Sequence, residues 1–207
     1  MTASLFEGIL PRALVTPRSA LPMVTQLQEL DRVAFAEREE WLAHLESSDS
    51  RVLLLDMKPE HNQAQHAFSA RRGDSELIVG LASEFHGIHP VAVIVDDGRR
   101  MVIGNGDCVT FVDLGTLAVL GQVWLESPFF EFLPHDGESS IVVLYETGIT
   151  CIDLMVAVLW TAAAADIITG CEAISATELR VSRMDSPSMI VSLATGKART
   201  ELGSPRF

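Results

Sequence analysis

"CVTFVDLGTLAVL", residues 108–120, returns as "GITCIDLMVAVLW", residues 148–160. A shift of 40 (152 − 112) aligns 102–120 with 142–160 without a gap. Val102/Val142, Thr110/Thr150, Asp113/Asp153 and Leu114/Leu154 are identical, and apolar residues meet at ten of the nineteen positions. A weaker copy follows, in which Val191-Ser192-Leu193 stands 39 residues (191 − 152) after Ile152-Asp153-Leu154 and Thr195-Gly196 makes the turn. The step has a simple physical content. An apolar strand ends, a small polar residue turns the chain, and the next strand returns antiparallel. A period near 40 with several short strands per unit is the spacing of a propeller blade, although any meander of two to four strands produces it. "RVLLLDMKPEH" supplies another Asp, but Asp56 lies 57 residues (113 − 56) before Asp113, too far for the same period. Three units are one short of the smallest closed propeller, which has about four blades. The expectation is therefore a mainly β (α+β) chain: antiparallel strands in units of ~40 residues, sandwich-like or an open propeller-like meander, with an N-terminal helix.

Local signals extend this reading in both directions. Asp96-Asp97-Gly98 and Asn105-Gly106-Asp107 separate short apolar runs and read as hairpin turns, because primed turns need the positive φ that Asp, Asn and Gly tolerate. Upstream, Leu27, Leu30, Ala34, Trp41 and Leu45 fall at three-, four- and seven-residue steps, which predicts a helix between Gln26 and Ser47 with Trp41 and Leu45 on the core. Residues 1–25 carry Pro11, Pro17 and Pro22 and read as an irregular arm. The domain division expected is 1–50, arm and helix packed on the core, and 51–207, the β-rich core. "KPEHNQAQHAFSARRGDS" and "ESPFFEFLPHDGESS" read as polar or irregular loops. The alanine run 162–165 favours a helix locally, Trp160 a place in the core, and Asp166 a turn cap.

Charge narrows the partners. Lys and Arg number 15 against 28 Asp and Glu, a formal net charge of −13. Such a field repels phosphate backbones and anionic lipid heads, so neither nucleic acid nor membrane is an expected partner. It suits solubility or a basic protein partner. The opening "MTASLFEGILPRAL" lacks the basic start and long apolar run of a secretion signal. Cys108, Cys151 and Cys171 form no C-x-x-C pair, and free thiols in apolar runs fit a reducing compartment. A cytoplasmic protein is the expectation.

No motif of catalysis stands out. There is no G-x-S-x-G. "ATGKA" lacks the upstream Gly and the Ser or Thr after Lys of a phosphate loop, since Val191 and Ala198 occupy those positions. Glu84, His86 and His89 surround Gly87 and precede Pro90, which argues for a loop rather than a metal site, and His61 and His66 do not share a helix face. No cofactor and no metal are expected, catalytic residues are unassigned, and the balance leans away from an enzyme. The unusual stretch is 126–138. Phe129, Phe130 and Phe132 stand there among Glu126, Glu131, Asp136 and Glu138. Such aromatics supply contact area and the acids select a basic partner. Phe129, Phe130, Glu131, Phe132 and Asp136 are thus the candidate partner-binding residues. The alternative role for the rings is to plug one end of the sheet core.

Residues 120–200, with Trp160, the Asp166-Ile167-Ile168 step and the Leu193-Ala194-Thr195-Gly196-Lys197 turn, resemble a group of uncharacterised bacterial strand-rich proteins. That group has no assigned function, so no residue role carries over. The functional expectation is a non-catalytic protein-binding module, such as an immunity-type inhibitor or an assembly or accessory factor. The alternatives are a small-molecule binder or enzyme with a site assembled from scattered residues, and an oligomer-forming structural module.

Overall fold

The computed structural model describes residues 27–47, 50–55, 63–72, 75–84, 87–135 and 139–201. The arm at 1–25, His61, His86 and Asp136 lie outside them. In chain order the elements are β1 (Gln28–Glu29), β2 (Arg32–Phe35), α1 (Arg38–Glu46), β3 (Arg51–Leu55), β4 (Gln63–Arg72), β5 (Ser75–Glu84), β6 (Val91–Val95), β7 (Arg100–Asn105), β8 (Cys108–Asp113) and β9 (Ala118–Trp124). There follow β10 (Phe129–Leu133), β11 (Ser140–Tyr145), β12 (Gly148–Asp153), β13 (Val158–Ala163), β14 (Ile168–Ser175), β15 (Glu178–Arg183), β16 (Met189–Ser192) and β17 (Ala198–Thr200).

Four sheets result. The first has the order β2-β4-β5-β3, the second β1-β6-β7-β8-β9, the third β10-β11-β12-β13 and the fourth β14-β15-β16-β17. The last three are antiparallel meanders, and the repeat read from the sequence is their common plan. β8 and β12 hold the same third place in the meanders β6-β7-β8-β9 and β10-β11-β12-β13, each followed by a return strand, and β16 does so in the fourth sheet. The ladders even break alike: the register slips between Phe111 and Val112 and, forty residues on, between Cys151 and Ile152. Each repeat Leu is buried and ties its turn down through its N–H, Leu114 to the Arg99 carbonyl, Leu154 to Ser139 and Leu193 to Thr177, at 2.9, 3.0 and 2.8 Å. The repeat Asp organises the turn itself. One Asp113 carboxylate oxygen accepts the Thr116 N–H and hydroxyl at 2.7 and 2.9 Å, and one of Asp153 accepts the N–H groups of Met155 and Ala157 at 2.9 and 2.8 Å.

Strand alternation explains how the sheets stack. In β11, Ile141 and Val143 face the second sheet while Val142 and Leu144 face the fourth. In β7, Val102 faces the third sheet while Met101 and Ile103 face the first. Inner strands apolar on both faces are therefore what a stack of sheets requires. The first sheet lies under α1, whose Trp41 and Leu45 pack on Ala67, Ile78 and Ala82. The Trp41 indole N–H donates to the His66 carbonyl at 3.0 Å. At the other end the fourth sheet turns ion pairs outward, Arg180 with Glu172 and Glu201 and Arg199 with Glu178. The fold is mainly β, built of propeller-like sheets stacked face to face, with no closed barrel among the described residues.

Five local expectations need correction. The helix spans only Arg38–Glu46; Leu27 and Leu30 flank β1, and Ala34 belongs to β2, which pairs with β4. Tertiary pairing overrides a helical spacing there, although Trp41 and Leu45 are core residues as their spacing implied. Strands thus begin ahead of residue 51. The polar stretch at 63–72 is a strand, because Phe68 and Ala70 face the second sheet while Ala67 faces the helix. The Phe-rich stretch is also a strand, β10. The alanine run is no helix: Ala162 and Ala163 end β13, and Ala162 and Ala164 are buried. "RVLLL" does join a sheet, but parallel to β5, so it is no copy of the meander.

Candidate interaction surface

The Phe-rich stretch sits at the edge of the third sheet, where β10 pairs with β11 through a bulge between Phe129 and Glu131. The extra residue changes which way the side chains fall. Phe129 and Phe132, their ring centroids 4.8 Å apart, fill the seam with the second sheet. Phe130 turns to the opposite seam and packs with the fourth sheet. Phe129 is 1% exposed and lies against Gly104 of β7, where any Cβ would overlap the ring. Glu131 is half-buried, and its Oε1 is enclosed without a hydrogen-bond partner. Burial, and then the nearby Glu29, push its carboxyl above the ordinary range. In turn burial and Glu131 push the Cys171 thiol up to about 12. The five candidates are therefore not gathered on one face: two rings plug one seam, Phe130 packs on the other, and Asp136 lies outside the described residues.

The surface that does gather apolar groups is the outer rim, where each meander ends. Among the described residues β9 pairs only with β8, and β13 only with β12, so both leave a row of backbone N–H and C=O groups without strand partners there. Val119 and Leu120 are each 44% exposed and Trp124 is 67% exposed. On the third sheet Met155, Val158 and Leu159 are exposed as well. Val156 links the two rims: a Cβ on Gly121 would come within 3.0 Å of it. Arg100 supports the same turn by donating to the Leu154 carbonyl. Edge strands in soluble proteins usually carry charge, proline or a bulge on the free side. "AVLGQVW" and "VLWTAA" carry neither charge nor proline, and their one protective device is a single bulge each, at Leu120 and Leu159. By contrast β17, "ART", is three residues long and charged. In the sequence these outer strands looked like the inner ones, because both are apolar. The readable difference was their place as the fourth strand of each unit.

A second feature is a cleft of about 300 Å³ between the third and fourth sheets, lined by His135, Ser140, Cys151, Trp160, Leu193 and Thr195, among others. The His135 Nε2 and Ser140 hydroxyl lie 3.0 Å apart. Burial raises the Cys151 thiol, so it stays protonated and weakly nucleophilic. Gly196 lies close against the Trp160 ring, where a Cβ would fall 2.6 Å from it. Elsewhere Arg32 donates to the His66 Nδ1 at 3.0 Å, and burial, Arg32 and His89 lower His66 to about 4. No group of three or more His, Cys, Asp or Glu among the described residues could hold a metal. Of the cysteines, Cys108 and Cys151 are buried and Cys171 is half-buried.

No protein-family model matches the chain, and no curated protein matches it. Among solved structures it is similar to the β-propeller domain of Cps50 (Swd1) from Myceliophteria thermophila, at 10% identity and a TM-score of 0.45, covering 70% of this chain and 57% of that one. It is similar to a chain of the Mitotic Checkpoint Complex, at 12% identity and a TM-score of 0.47, covering 96% and 60%. It is also similar to BamB from Moraxella catarrhalis, at 17% identity and a TM-score of 0.42, covering 84% and 51%. The chain spans less than two thirds of each of these proteins.

Proposed function

We propose that the chain is a non-catalytic protein-binding module that engages its partner through the outer rim of the second and third sheets, in the manner of an immunity-type inhibitor or an assembly factor. One observation carries this: two edge strands without charge or proline present Val119, Leu120, Trp124, Val158 and Leu159 to solvent. Exposed apolar groups on edges that carry neither charge nor proline mark surfaces that another chain covers. The rings of Phe129 and Phe132 do not serve, since they are committed to the core. The net charge of −13 favours a basic partner and a salt-sensitive encounter. A cytoplasmic setting belongs to the same proposal.

The test is co-purification of a partner with the wild-type chain and with two variants. Leu120→Ser with Trp124→Ser should lose the partner, while Arg180→Ala on the opposite, polar face should keep it. A partner held equally by all three overturns the proposal. A small-molecule or enzymatic role has the His135–Ser140 cleft as its candidate, but Cys151 is protonated there and Gly196 covers part of the Trp160 ring.

A further inference from the structure

Resting on the protein-binding reading, we infer that β9 takes up an extended, positively charged segment of the partner as an added antiparallel strand, with a lysine or arginine of that segment seated on Trp124. The observations come from three levels. First, β9 is the last strand of a five-stranded sheet and runs for seven residues, Ala118–Trp124. A bulge at Leu120 divides the strand, and the regular stretch Gly121–Trp124 beyond it suits a short main-chain ladder, which supplies affinity while alternate side chains supply selection. Second, the side chains on the strand are neutral throughout, with Val119, Leu120 and Trp124 open to solvent. No charge on the strand repels an incoming backbone.

Third, charge marks one end. Trp124 stands opposite Cys108 in the ladder, and the next residue, Leu125, donates its N–H to the Asp107 carbonyl at 2.7 Å. Asp107 and Glu126, both exposed, therefore flank the most exposed tryptophan of the chain. An indole face beside two carboxylates attracts a cation twice, through the ring quadrupole and through charge. At the other end of β9 stand Asp113 and, at the turn, Arg51, which donates to the Gly115 carbonyl at 3.0 Å. The pull is thus concentrated at the Trp124 end and sets the direction of the added strand. A second copy of this chain fits poorly, because two β9 edges would bring together molecules that each carry −13.

The experiment uses the full chain, isotopically labelled, and three blocked peptides as long as β9: alternating lysine and valine, the same peptide with alternate N-methylated amides, and alternating glutamate and valine. The lysine peptide should slow exchange of alternate amides in 118–124 by about tenfold or more and shift Trp124 emission. Trp124→Ala should weaken its binding by about five- to tenfold, and added salt should weaken it further. Neither the N-methylated nor the acidic peptide should protect β9. Binding at the rim without amide protection overturns strand addition while the protein-binding reading stands. Equal binding by the acidic peptide overturns the charge assignment, and no response of β9 at millimolar lysine peptide overturns the inference as a whole. Light scattering that shows a dimer with β9 already protected overturns it in favour of self-association. In all of these cases the co-purification result judges the protein-binding reading separately.

Discussion

The first sheet and the pair formed by the second and third sheets solve the same problem differently. The second and third are copies, with matching turns, slips in register and tie-down bonds. Each is covered on both faces by other sheets. The first sheet has a neighbouring sheet on one face only. It covers the other with α1, and it fills its outer position with β3 running parallel to β5. A repeat therefore closes its faces with further sheets, whereas the two terminal sheets differ: the first takes a helical lid and the fourth turns ion pairs outward. Gly80 shows how tight the lid is: a Cβ there would lie 2.9 Å from side-chain atoms of Trp41, Leu45 and Leu54.

The largest expected break falls on that lid. Trp41→Ala removes a fully buried ring and its bond to the His66 carbonyl, and should cost about 3–5 kcal/mol in denaturant unfolding. An unchanged midpoint would remove α1 from the core. The same sheet should carry an acid-sensitive step. His66, at about 4 in the fold against 6.5 unfolded, binds fewer protons folded than unfolded between those values. Its contribution is fully present above pH 6.5 and is lost as pH falls toward 4, up to about 3 kcal/mol. His66→Gln should flatten that part of the stability–pH curve. Glu131 of the third sheet works the other way. Its raised carboxyl favours the protonated fold, so stability is lost as pH rises through its folded value. Glu131→Gln should raise the melting temperature at pH 7, with the gap closing in acid.

Within the copies the effects are smaller and should match. Gly104→Ala forces a Cβ into the Phe129 ring and should cost roughly 1–3 kcal/mol. Asp113→Ala and Asp153→Ala should each cost about 1 kcal/mol, with Asp153 the costlier because two backbone N–H groups lose their acceptor. Unequal effects in the reverse order would weaken the equivalence of the two turns. The smallest change is expected at the rim. Trp124→Ala should stay within about 0.5 kcal/mol by denaturant unfolding, since the ring makes little contact with the fold.

What the sequence made legible was whatever repeats or turns. The Val/Ile-Asp-Leu step identified β8 and β12, and the Asp-Gly and Asn-Gly signals marked the hairpins after β6 and β7. Asp166 was read as a turn cap and accepts the N–H groups of Ile167 and Asp185 at 2.8 and 2.9 Å. What stayed hidden depended on distant partners. β4 reads as polar because Gln65, His66 and Ser69 stand among Ala and Phe, and only its pairing with β2 and β5, between the second sheet and α1, makes it a strand. The bulge that sends Phe130 and Phe132 to opposite seams has no local signature. Neither does the exposure of β9, whose residues are as apolar as those of β8. Burial is settled by which strand comes last.

The third sheet belongs to two cores at once, and this bears on how the molecule comes apart. Among the described residues the apolar cores join successive sheets, as in linear arrays of repeats. Loss of the third sheet would leave the second and fourth without a shared surface, so a lesion there should abolish cooperativity across the whole stack. The fourth sheet, with one apolar face and one ion-paired face, can detach while the rest keeps its seams. In native-state hydrogen exchange its amides should open at lower free energy than those of β7, β8, β11 and β12, making it the first unit to unzip on warming.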